Sequence, residues 1–534
     1  MPQGSDLHWD EETDVLIVGL GGAGVCAALE ARQENARVTV LERFTGGGAT
    51  AISGGVFYAG GGTAIQEEAG VDDDIGAMRA YLTQEAGDVV GEETIRQFCN
   101  ESIENLRWLT DRGLQFEGSL CPDKTSYPSD DYFLYYSGNE TAHPYRELAR
   151  PAPRGHRVKG KGLPGRNFFE PLHQQLQKSG ADIRLHCRAS ELIQDEEGRV
   201  IGLSYSEIPA GRWAQLHGKL ESLATQFALF TPWVSRVLRG WGSKIESRWG
   251  EARRIRVEKG VILCTGGFIN NREMMEEHAP DYLAGRPIGT TGCSGEGIQM
   301  GQAIGAQARQ MDNISGWLFL NPPNAFIHGI LIDREGKRFV NEALYGAVTG
   351  GALMQEADGS GFLIIDEELR TQAWSQLGGG QTQVFQTVPG YMNLLFNCKK
   401  AKSVESLARL CGCDIESIKK TLEDYNEATR SGEVDAFRKE ERRVLSPPYY
   451  VIRSSPGQWT WPLTMLTLGG LCVEEHSGAV KNEAGDTIPG LYAAGRAAIG
   501  ICSQNYVSGL SIADCVYSGR RAGRMAASQG KEAR

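Results

Sequence analysis

The feature that most constrains the fold is the stretch from Asp14 to Glu42, which reads DVLIVGLGGAGVCAALEARQENARVTVLE. It begins with an apolar run at 15–18 that is too short for a helix and is typical of a strand buried on both faces. A glycine-rich turn at 19–24 leads into a helical pattern, and a second apolar run at 38–41 ends at Glu42. Strand, glycine turn, helix, strand and terminal acid together form the pattern of a dinucleotide-binding unit.

Each part of this unit has a physical task. Gly19 allows the tight turn, Gly21 lets backbone approach a pyrophosphate, and Gly24 lets the helix pack on the strand. The helix N-terminus faces the phosphate charge, and Glu42 accepts the ribose hydroxyls of an adenosine. The pattern alone does not separate FAD from NAD. The cofactor contacts that it predicts are Gly19, Gly21, Gly22, Ala23, Gly24, Glu42 and Arg43.

Two further stretches favour FAD. Thr45 to Gly55 offers small residues and bare backbone, which suit a loop lying against a flat ring system, and Ile488 to Gly495 is a strand that runs into a glycine turn. With these residues, nearly the whole chain resembles the fumarate reductase/succinate dehydrogenase flavoprotein superfamily, whose FAD domain is assembled from both ends of the sequence. The FAD contacts that this resemblance implies are Gly47, Gly48, Ala49, Thr50, Ser53, Gly54, Gly55, Ala189, Gly266, Gly267, Gly495, Arg496, Ser511 and Ile512.

Two departures from the superfamily pattern concern the cofactor. Arg496 stands where many members carry an acid that meets the ribitol. No histidine lies between Phe44 and Gly55, so the covalent flavin link of the respiratory complexes is not expected and FAD should bind non-covalently.

The predicted fold is α/β, as the strand, glycine turn, helix and strand at 14–42 indicate. Because 534 residues are too many for one core, two domains are expected. A Rossmann-like FAD-binding domain of the glutathione-reductase type is expected from 1–311 and 444–534, and an inserted α+β cap, or catalytic domain, from 312–443. The run 333–342 resembles the superfamily's entry into that cap. A second glycine-turn unit is absent from the sequence, so electrons are expected to leave to a separate acceptor.

Composition excludes several classes of partner. A net charge of -12 argues against nucleic acid, and the twelve scattered cysteines show neither metal-ligand spacing nor a disulfide framework. The N-terminal residues lack an apolar core, and no uncharged run is long enough to span a bilayer. A cytoplasmic protein is therefore expected.

An insertion at 209–251 does not belong to the superfamily pattern. It is rich in arginine, lysine and tryptophan, and apolar residues recur at steps of four and three: Leu216, Leu220, Leu223, Phe227, Phe230, Val234, Val237 and Trp241. One interpretation is an element that lies on the inner membrane surface. The alternatives are a helical hairpin broken at Pro232 that packs on its own domain, or a contact with another subunit. Since the flanking strands need only a short turn between them, FAD binding is not expected to require the insertion.

The residues that bind a dicarboxylate in fumarate reductases are replaced. Those enzymes place a histidine just before a Thr-x-Gly-Gly motif and an arginine four residues past the Asn-Glu of the cap. Met465 and Leu466 fill the first place, and Gly346 fills the second, immediately after Tyr345.

The C-terminal loop, Ser503 to Gly509, precedes a predicted helix that starts near Leu510. In the superfamily, that helix points its N-terminus at the flavin, where it favours the anionic reduced ring. A tyrosine pair from cap and loop resembles the 3-ketosteroid dehydrogenases, and Tyr506-x-Ser508 resembles their Δ4-(5α) enzymes. The resemblance implies Tyr345, Tyr506, Ser508 and Gly509 as catalytic residues.

The residues leave the catalytic roles open. In one assignment, Tyr345 is the base at C4, Tyr506 and the Gly509 amide polarise the C3 oxygen, and Ser508 orients Tyr506. In the other, the tyrosines exchange roles and Ser508 relays the proton. The predicted function is FAD-dependent desaturation of a 3-ketosteroid between C4 and C5. The alternatives are Δ1 desaturation, a flavin enoate or fumarate-type reductase, and a flavin-containing membrane-associated binding factor.

Overall fold

The computed structural model describes residues 8–228, 231–380 and 382–529. Its strands are β1 (Glu11–Val18), β2 (Val38–Leu41), β3 (Val56–Tyr58), β4 (Leu134–Tyr135), β5 (Gly155–Arg157), β6 (Asp182–Arg184), β7 (Cys187–Gln194), β8 (Val200–Glu207), β9 (Glu251–Leu263), β10 (Arg286–Pro287), β11 (Ala308–Arg309), β12 (Ile314–Trp317), β13 (Ile330–Ile332), β14 (Gly361–Asp366), β15 (Cys398–Ala401), β16 (Tyr449–Ser454), β17 (Thr464–Thr467), β18 (Gly470–Leu471), β19 (Ala479–Lys481) and β20 (Thr487–Ala493).

The α-helices are α1 (Gly22–Gln33), α2 (Gly48–Ala51), α3 (Ala64–Glu68), α4 (Ile75–Ala86), α5 (Glu92–Asn100), α6 (Ser102–Asp111), α7 (Tyr145–Leu148), α8 (Gly165–Lys178), α9 (Arg212–Phe227), α10 (Pro232–Trp249), α11 (Arg272–His278), α12 (Glu296–Ala303), α13 (Gly346–Gln355), α14 (Glu367–Gly378), α15 (Val384–Met392), α16 (Val404–Cys411), α17 (Ile415–Ser431) and α18 (Leu510–Ser528).

The main sheet contains strands from both ends of the chain, as predicted. Its order is β19-β20-β9-β1-β2-β6, and β7 and β8 continue from β9 as an antiparallel extension. The five strands β20, β9, β1, β2 and β6 run parallel to one another. The sequence pattern at 183–187 predicts one strand, but the structure has two, β6 and β7, because His186 takes a left-handed conformation with φ 59° and turns the chain between them.

Close packing of α1 against α18 ties the C-terminal helix to the glycine turn. A Cβ atom at Gly519 would lie 2.5 Å from the Ala23 carbonyl oxygen, and one at Gly523 would lie 2.3 Å from that of Ala27. Glycine at these two positions therefore lets the helices approach backbone to backbone. The middle of α18 is consequently held against the start of α1, beside the dinucleotide-binding turn.

A second hydrophobic core lies between residues 318 and 463. It packs the antiparallel sheet β13-β14-β16-β15 against α13, α14, α16 and α17. The sequence pattern at 403–429 predicts one helix, but the structure has two, α16 and α17, separated at Gly412, whose φ is 73°. The domain boundaries at 311/312 and 443/444 stay a prediction. The second core begins near the first boundary but continues past the second, because β16 pairs with β14 and β15.

The insertion folds as a hairpin of α9 and α10, and Pro232 is the first residue of the second helix. Trp213 stacks on Trp249 at the base of the hairpin, with ring centroids 4.9 Å apart. Leu220 turns inward to a small core with Ala214 and Ile245, so the predicted seam is not a single exposed stripe. Phe230 lies outside the described residues. Within the described part of the chain, no helix combines the length and apolar character needed to cross a bilayer.

Candidate active site

The predicted dinucleotide turn lies where the carboxyl ends of β1, β9 and β20 meet, the edge at which open parallel sheets bind ligands. Gly19 has a φ of 99°, and a Cβ there would lie 2.6 Å from the carbonyl oxygen of Cys264, which follows β9. Gly495, after β20, has a φ of 61°, and its Cβ would lie 2.9 Å from that of Ala23. The three strand ends therefore form one glycine-lined cradle.

The loop at 45–55 lies against this cradle, as expected for a ring-binding loop. The Gly22 N–H donates to Thr50 Oγ1 over 3.2 Å, and the Gly47 N–H donates to the Leu20 carbonyl over 2.8 Å. Part of the predicted loop is the short helix α2, which contains Ala49, and Ser53, Gly54 and Gly55 follow it.

Glu42 lies at the end of β2 and its side chain is buried. Its Oε2 accepts the Leu20 N–H and its Oε1 accepts the Phe44 N–H, both over 2.8 Å. Burial raises the pKa of this carboxyl, and the two backbone donors oppose that shift. Each carboxylate oxygen has a second lone-pair direction, so two ribose hydroxyls can still be accepted.

The cradle fits the pyrophosphate and flavin of FAD. A Cβ added at Gly21 would meet only the Cα of Gly48, at 4.0 Å, so this glycine faces open space. Bare backbone that faces an open space at the N-terminus of a helix is what a bound pyrophosphate requires.

The remaining predicted cofactor residues are spread around the cradle. Ala189 is in β7, and Gly266 and Gly267 follow β9. Arg496 is half-buried in the turn after β20, with its Nη2 atom 3.7 Å from Cys293 Sγ. Ser511 and Ile512 lie in the first turn of α18, where backbone N–H groups lack partners within the helix. Their contacts with FAD stay a prediction.

Gly509 is the N-cap of α18 and has a φ of 90°. Its carbonyl accepts the Tyr58 N–H over 3.2 Å, and a Cβ there would lie 2.9 Å from that nitrogen. The left-handed backbone and the contact with β3 both require glycine.

Tyr345 and Tyr506 lie next to each other in an aromatic pocket, with ring centroids 6.5 Å apart. Trp317 stacks on Tyr506 at 4.7 Å, and Phe319 meets the Tyr345 ring edge-on at 5.7 Å. Burial raises the pKa of both phenols; the Gly509 backbone N–H opposes this shift at Tyr506, and the Ser508 hydroxyl opposes it at Tyr345. The two hydroxyls therefore stay protonated until a substrate or a proton acceptor changes their surroundings.

Gly346 begins α13 and is packed against Phe319. A Cβ there would lie 2.3 Å from Cδ1 of that ring, so an arginine at this position requires Phe319 to move. Leu466 is buried in β17 beside β12, the strand that ends at Trp317. The walls of this pocket are thus aromatic and aliphatic where fumarate reductases carry cations.

Ser508 makes a contact that the sequence did not predict. Its hydroxyl forms a 2.7 Å hydrogen bond with the hydroxyl of Tyr135, which is fully buried. The serine thus contacts Tyr135 and Tyr345, and its predicted role in orienting Tyr506 stays a prediction. In the sequence, Tyr135 is one of three tyrosines in an aromatic, polar loop at 126–140, any of which could line a pocket or simply pack. Its pairing with Ser508 could not be predicted, because the two residues are 373 positions apart.

A buried carboxyl lies behind Tyr345. The Tyr345 N–H donates to Asn139 Oδ1 over 2.7 Å, and Asn139 Nδ2 donates to Glu85 Oε1 over 2.8 Å. The Tyr81 hydroxyl donates to the same oxygen over 2.7 Å. Burial, with the nearby charge of Glu140, raises the pKa of Glu85 to about 7, whereas the two donors oppose the shift.

We expect Glu85→Gln to flatten the dependence of stability on pH between about 4.5 and 7. The folded protein holds this proton up to pH about 7 and the unfolded chain loses it near 4.5, so the stability of the wild type falls as pH rises through that window. The difference of about 2.5 pKa units corresponds to about 3 kcal/mol. Urea unfolding at pH 5 and pH 8 measures it, with the exposed Glu423→Gln as control. An unchanged slope in Glu85→Gln contradicts the buried acid.

A glycine-lined nucleotide cradle, together with a half-buried aromatic pocket at the loop before α18, defines this protein as a flavin-dependent oxidoreductase. Residues 14–509 match the family model described as "FAD binding domain". The chain belongs to this FAD-binding family, within the fumarate reductase/succinate dehydrogenase flavoprotein superfamily, and its cofactor is FAD.

Relatives within the family narrow the comparison. The chain is 36% identical, over 506 residues, to a 3-oxo-5-alpha-steroid 4-dehydrogenase from Comamonas testosteroni. The aligned region covers 92% of this chain and 93% of that protein. The crystal structure of a 3-ketosteroid-delta4-(5alpha)-dehydrogenase from Rhodococcus jostii RHA1, in complex with 4-androstene-3,17-dione, superposes with a TM-score of 0.82 at 30% identity, covering 98% of this chain and 99% of that one. A 3-ketosteroid delta1-dehydrogenase from Sterolibacterium denitrificans shares the fold, with a TM-score of 0.65 at 18% identity, covering 97% of this chain and 100% of that one.

Proposed function

We propose that this protein desaturates a 3-ketosteroid between C4 and C5. The observation that carries the proposal is the pair Tyr345 and Tyr506, whose ring centroids lie 6.5 Å apart in an aromatic pocket beside the N-terminus of α18. Tyr345 is buried and Tyr506 is half-buried. The pocket suits a rigid apolar ring system, and the packing of Gly346 on Phe319 leaves no room for a carboxylate-binding arginine. Similarity to the Comamonas dehydrogenase along nearly the full length of both chains supports the same substrate class.

Two kinds of group are needed for the reaction: a base for the proton on C4 and donors for the C3 oxygen. FAD, when bound, supplies the acceptor for the hydride that leaves C5. Tyr345 takes the C4 proton in its phenolate form and becomes a neutral phenol. The Ser508 hydroxyl, which is itself hydrogen-bonded to Tyr135, stabilises that phenolate as a donor. Tyr506, next to the Gly509 amide, donates to the C3 oxygen and stabilises the charge that develops there. A separate acceptor then removes the two electrons.

Product analysis tests the proposal and separates it from its alternatives. The purified protein is incubated with 5α- and 5β-reduced 3-ketosteroids and an artificial electron acceptor, and the position of the new double bond is determined. A 4-ene product supports the proposal. A 1-ene product identifies a Δ1-dehydrogenase instead, and reduction of fumarate or another enoate by the reduced protein identifies a reductase.

The outer face of the α9–α10 hairpin supports a second proposal, a peripheral contact with the cytoplasmic membrane surface. Trp233 and Trp241 are 69% and 54% exposed on α10, and Val237 is exposed between them. The exposed bases Arg236 and Lys244 flank this stripe. On a protein with net charge -12, a basic apolar face is complementary to anionic lipid.

We expect Trp233→Ser with Trp241→Ser to abolish sedimentation with vesicles that contain anionic phospholipid. Both side chains are exposed, so their loss removes apolar area from the lipid contact and leaves the folded core unchanged. Vesicles of phosphatidylcholine alone should sediment less wild-type protein, because the basic residues then lack a counter-charge. Trp459→Ser is the matched control, since Trp459 is 59% exposed but lies outside the hairpin. Equal sedimentation of wild type and double variant contradicts membrane contact.

A further inference from the structure

The inner face of the α9–α10 hairpin is buried against the segment that follows β2. His217 and Glu246 are 1% and 6% exposed on this face. A Cβ at Gly218 of α9 would lie 2.9 Å from Thr45 Cγ2, so the helix backbone approaches this segment closely. The contact is unexpected, because an insertion between β8 and β9 could have packed anywhere along their outer edge.

An ion-pair cluster joins the hairpin to Arg43. The Arg43 guanidinium donates to both carboxylate oxygens of Glu246, over 2.7 and 2.8 Å, and to Glu296 of α12 over 3.1 Å. Burial disfavours charge on Glu246, but its hydrogen bonds with His217 and Arg43 lower the pKa of this carboxyl to about 2. Glu246 therefore stays ionised and holds Arg43 at any physiological pH.

His217 lies at the centre of the same contact. Its Nε2 is 3.1 Å from Glu246 Oε1, and its Nδ1 is 3.0 Å from Nδ1 of His186, the residue between β6 and β7. Its ring stacks on Phe44 with centroids 5.1 Å apart. One side chain of the hairpin thus touches both chain segments that border the adenosine end of the cradle.

The contact of the hairpin with Arg43 and Phe44 is linked through the backbone to Glu42, the acid that is predicted to bind the ribose. Glu42 directly precedes Arg43, and its Oε1 accepts the Phe44 N–H over 2.8 Å. Its other oxygen accepts the Leu20 N–H of the glycine turn. A shift of Arg43 or Phe44 therefore moves the carboxylate that the sequence pattern assigns to the adenosine ribose. A cavity of about 380 Å³ borders Arg43, Phe44, His217 and Glu246, so the segment has room to move when the hairpin does not hold it.

We propose that the hairpin is a clasp on the adenosine end of the FAD site, in which Glu246 and His217 are positioning residues that act through Arg43 and Phe44. The clasp slows release of FAD, so this proposal revises the expectation that FAD binding does not require the insertion. This proposal rests on the membership of the chain in an FAD-binding family and does not depend on the proposed steroid substrate. The outer face of the same hairpin can contact lipid while the inner face holds the cofactor segment, because the two faces use different residues.

Dissociation of FAD tests the clasp without any measurement of turnover. Holoprotein is diluted into buffer to a concentration at which released FAD does not rebind, and the free FAD is followed by its fluorescence. Glu246→Gln should raise the release rate by roughly ten- to a hundredfold, because it leaves Arg43 without one of its two charged partners in a buried site. Glu246→Asp should restore part of the retention, and Trp233→Ser on the outer face should release FAD at the wild-type rate. A release rate of Glu246→Gln within twofold of wild type overturns the clasp.

Reciprocity provides a second measurement that needs no variant. If the hairpin holds FAD, then FAD must hold the hairpin to the same extent. Trypsin cleavage at the exposed Lys219, Arg236 and Lys244 should therefore be slower in holoprotein than in protein stripped of FAD, and adding FAD back should restore the protection. Equal cleavage rates with and without FAD contradict the proposal, even if Glu246→Gln proves too unstable to purify.

Discussion

Replacing either Tyr345 or Tyr506 by phenylalanine should lower turnover of a 3-ketosteroid by roughly two to four orders of magnitude, the range for loss of a positioned proton acceptor or an oxyanion donor. Each change removes one hydroxyl and almost no volume, so the aromatic contacts with Phe319 and Trp317 remain. Anaerobic rapid mixing that follows flavin reduction measures the effect. Tyr391→Phe, on the partly exposed α15, is the control.

The two tyrosine variants should differ in a second measurement. With a substrate deuterated at C4, loss of the base Tyr345 should enlarge the isotope effect on flavin reduction, whereas loss of Tyr506 should also weaken binding of the ketone. Ser508→Ala should cost less than either, because its hydroxyl acts through Tyr345 and Tyr135. Near-normal flavin reduction in both tyrosine variants would remove the catalytic assignment and leave the FAD-binding fold untouched.

Gly24→Ala should abolish retention of FAD, lowering the affinity by at least roughly a hundredfold. The added Cβ would lie 1.9 Å from the carbonyl oxygen of Gly19, so the helix α1 must move away from the turn that it anchors. The ratio of flavin absorbance to protein absorbance after gel filtration measures the loss. Full flavin occupancy in this variant is incompatible with the glycine turn described above.

Gly21→Ala is the matched comparison for this helix. The nearest atom to its Cβ is 4.0 Å away, so the protein should fold with an unchanged urea midpoint. The same methyl group extends into the open space where backbone approaches the pyrophosphate, and FAD affinity should fall although stability does not. If both alanine variants lose stability equally, then the turn has a purely structural role at Gly21 as well.

The dinucleotide unit could be predicted from the sequence because its determinants are local. The runs at 15–18 and 38–41 are β1 and β2, and the helix after the turn is α1. The same holds for α18, which begins at Leu510 as expected. In each case, the spacing of apolar residues and one glycine with a positive φ determine the local structure. Both features can be read from consecutive residues.

Boundaries were less accurate where one residue interrupts a periodic pattern. His186 separates β6 from β7, and Gly412 separates α16 from α17, each in a left-handed conformation. An apolar period continues across such a residue, so the sequence shows one element where the chain has two. The break at Pro232 was visible, because proline cannot continue a helix that has begun before it.

The FAD-binding unit could be predicted from local sequence patterns, and the resemblance to known flavoproteins predicted the two pocket tyrosines and the absence of a carboxylate-binding arginine at Gly346. The hydrogen bond between Ser508 and Tyr135, the packing of Phe319 beside Gly346 and the ion pair between Glu246 and Arg43 are visible only in the three-dimensional structure. Local patterns carry information about which surface an element buries, but not about which distant surface buries it. The pairing of Arg43 with Glu246 joins residues 203 positions apart, and that of Tyr135 with Ser508 joins residues 373 positions apart. Both follow from the packing of whole layers on each other.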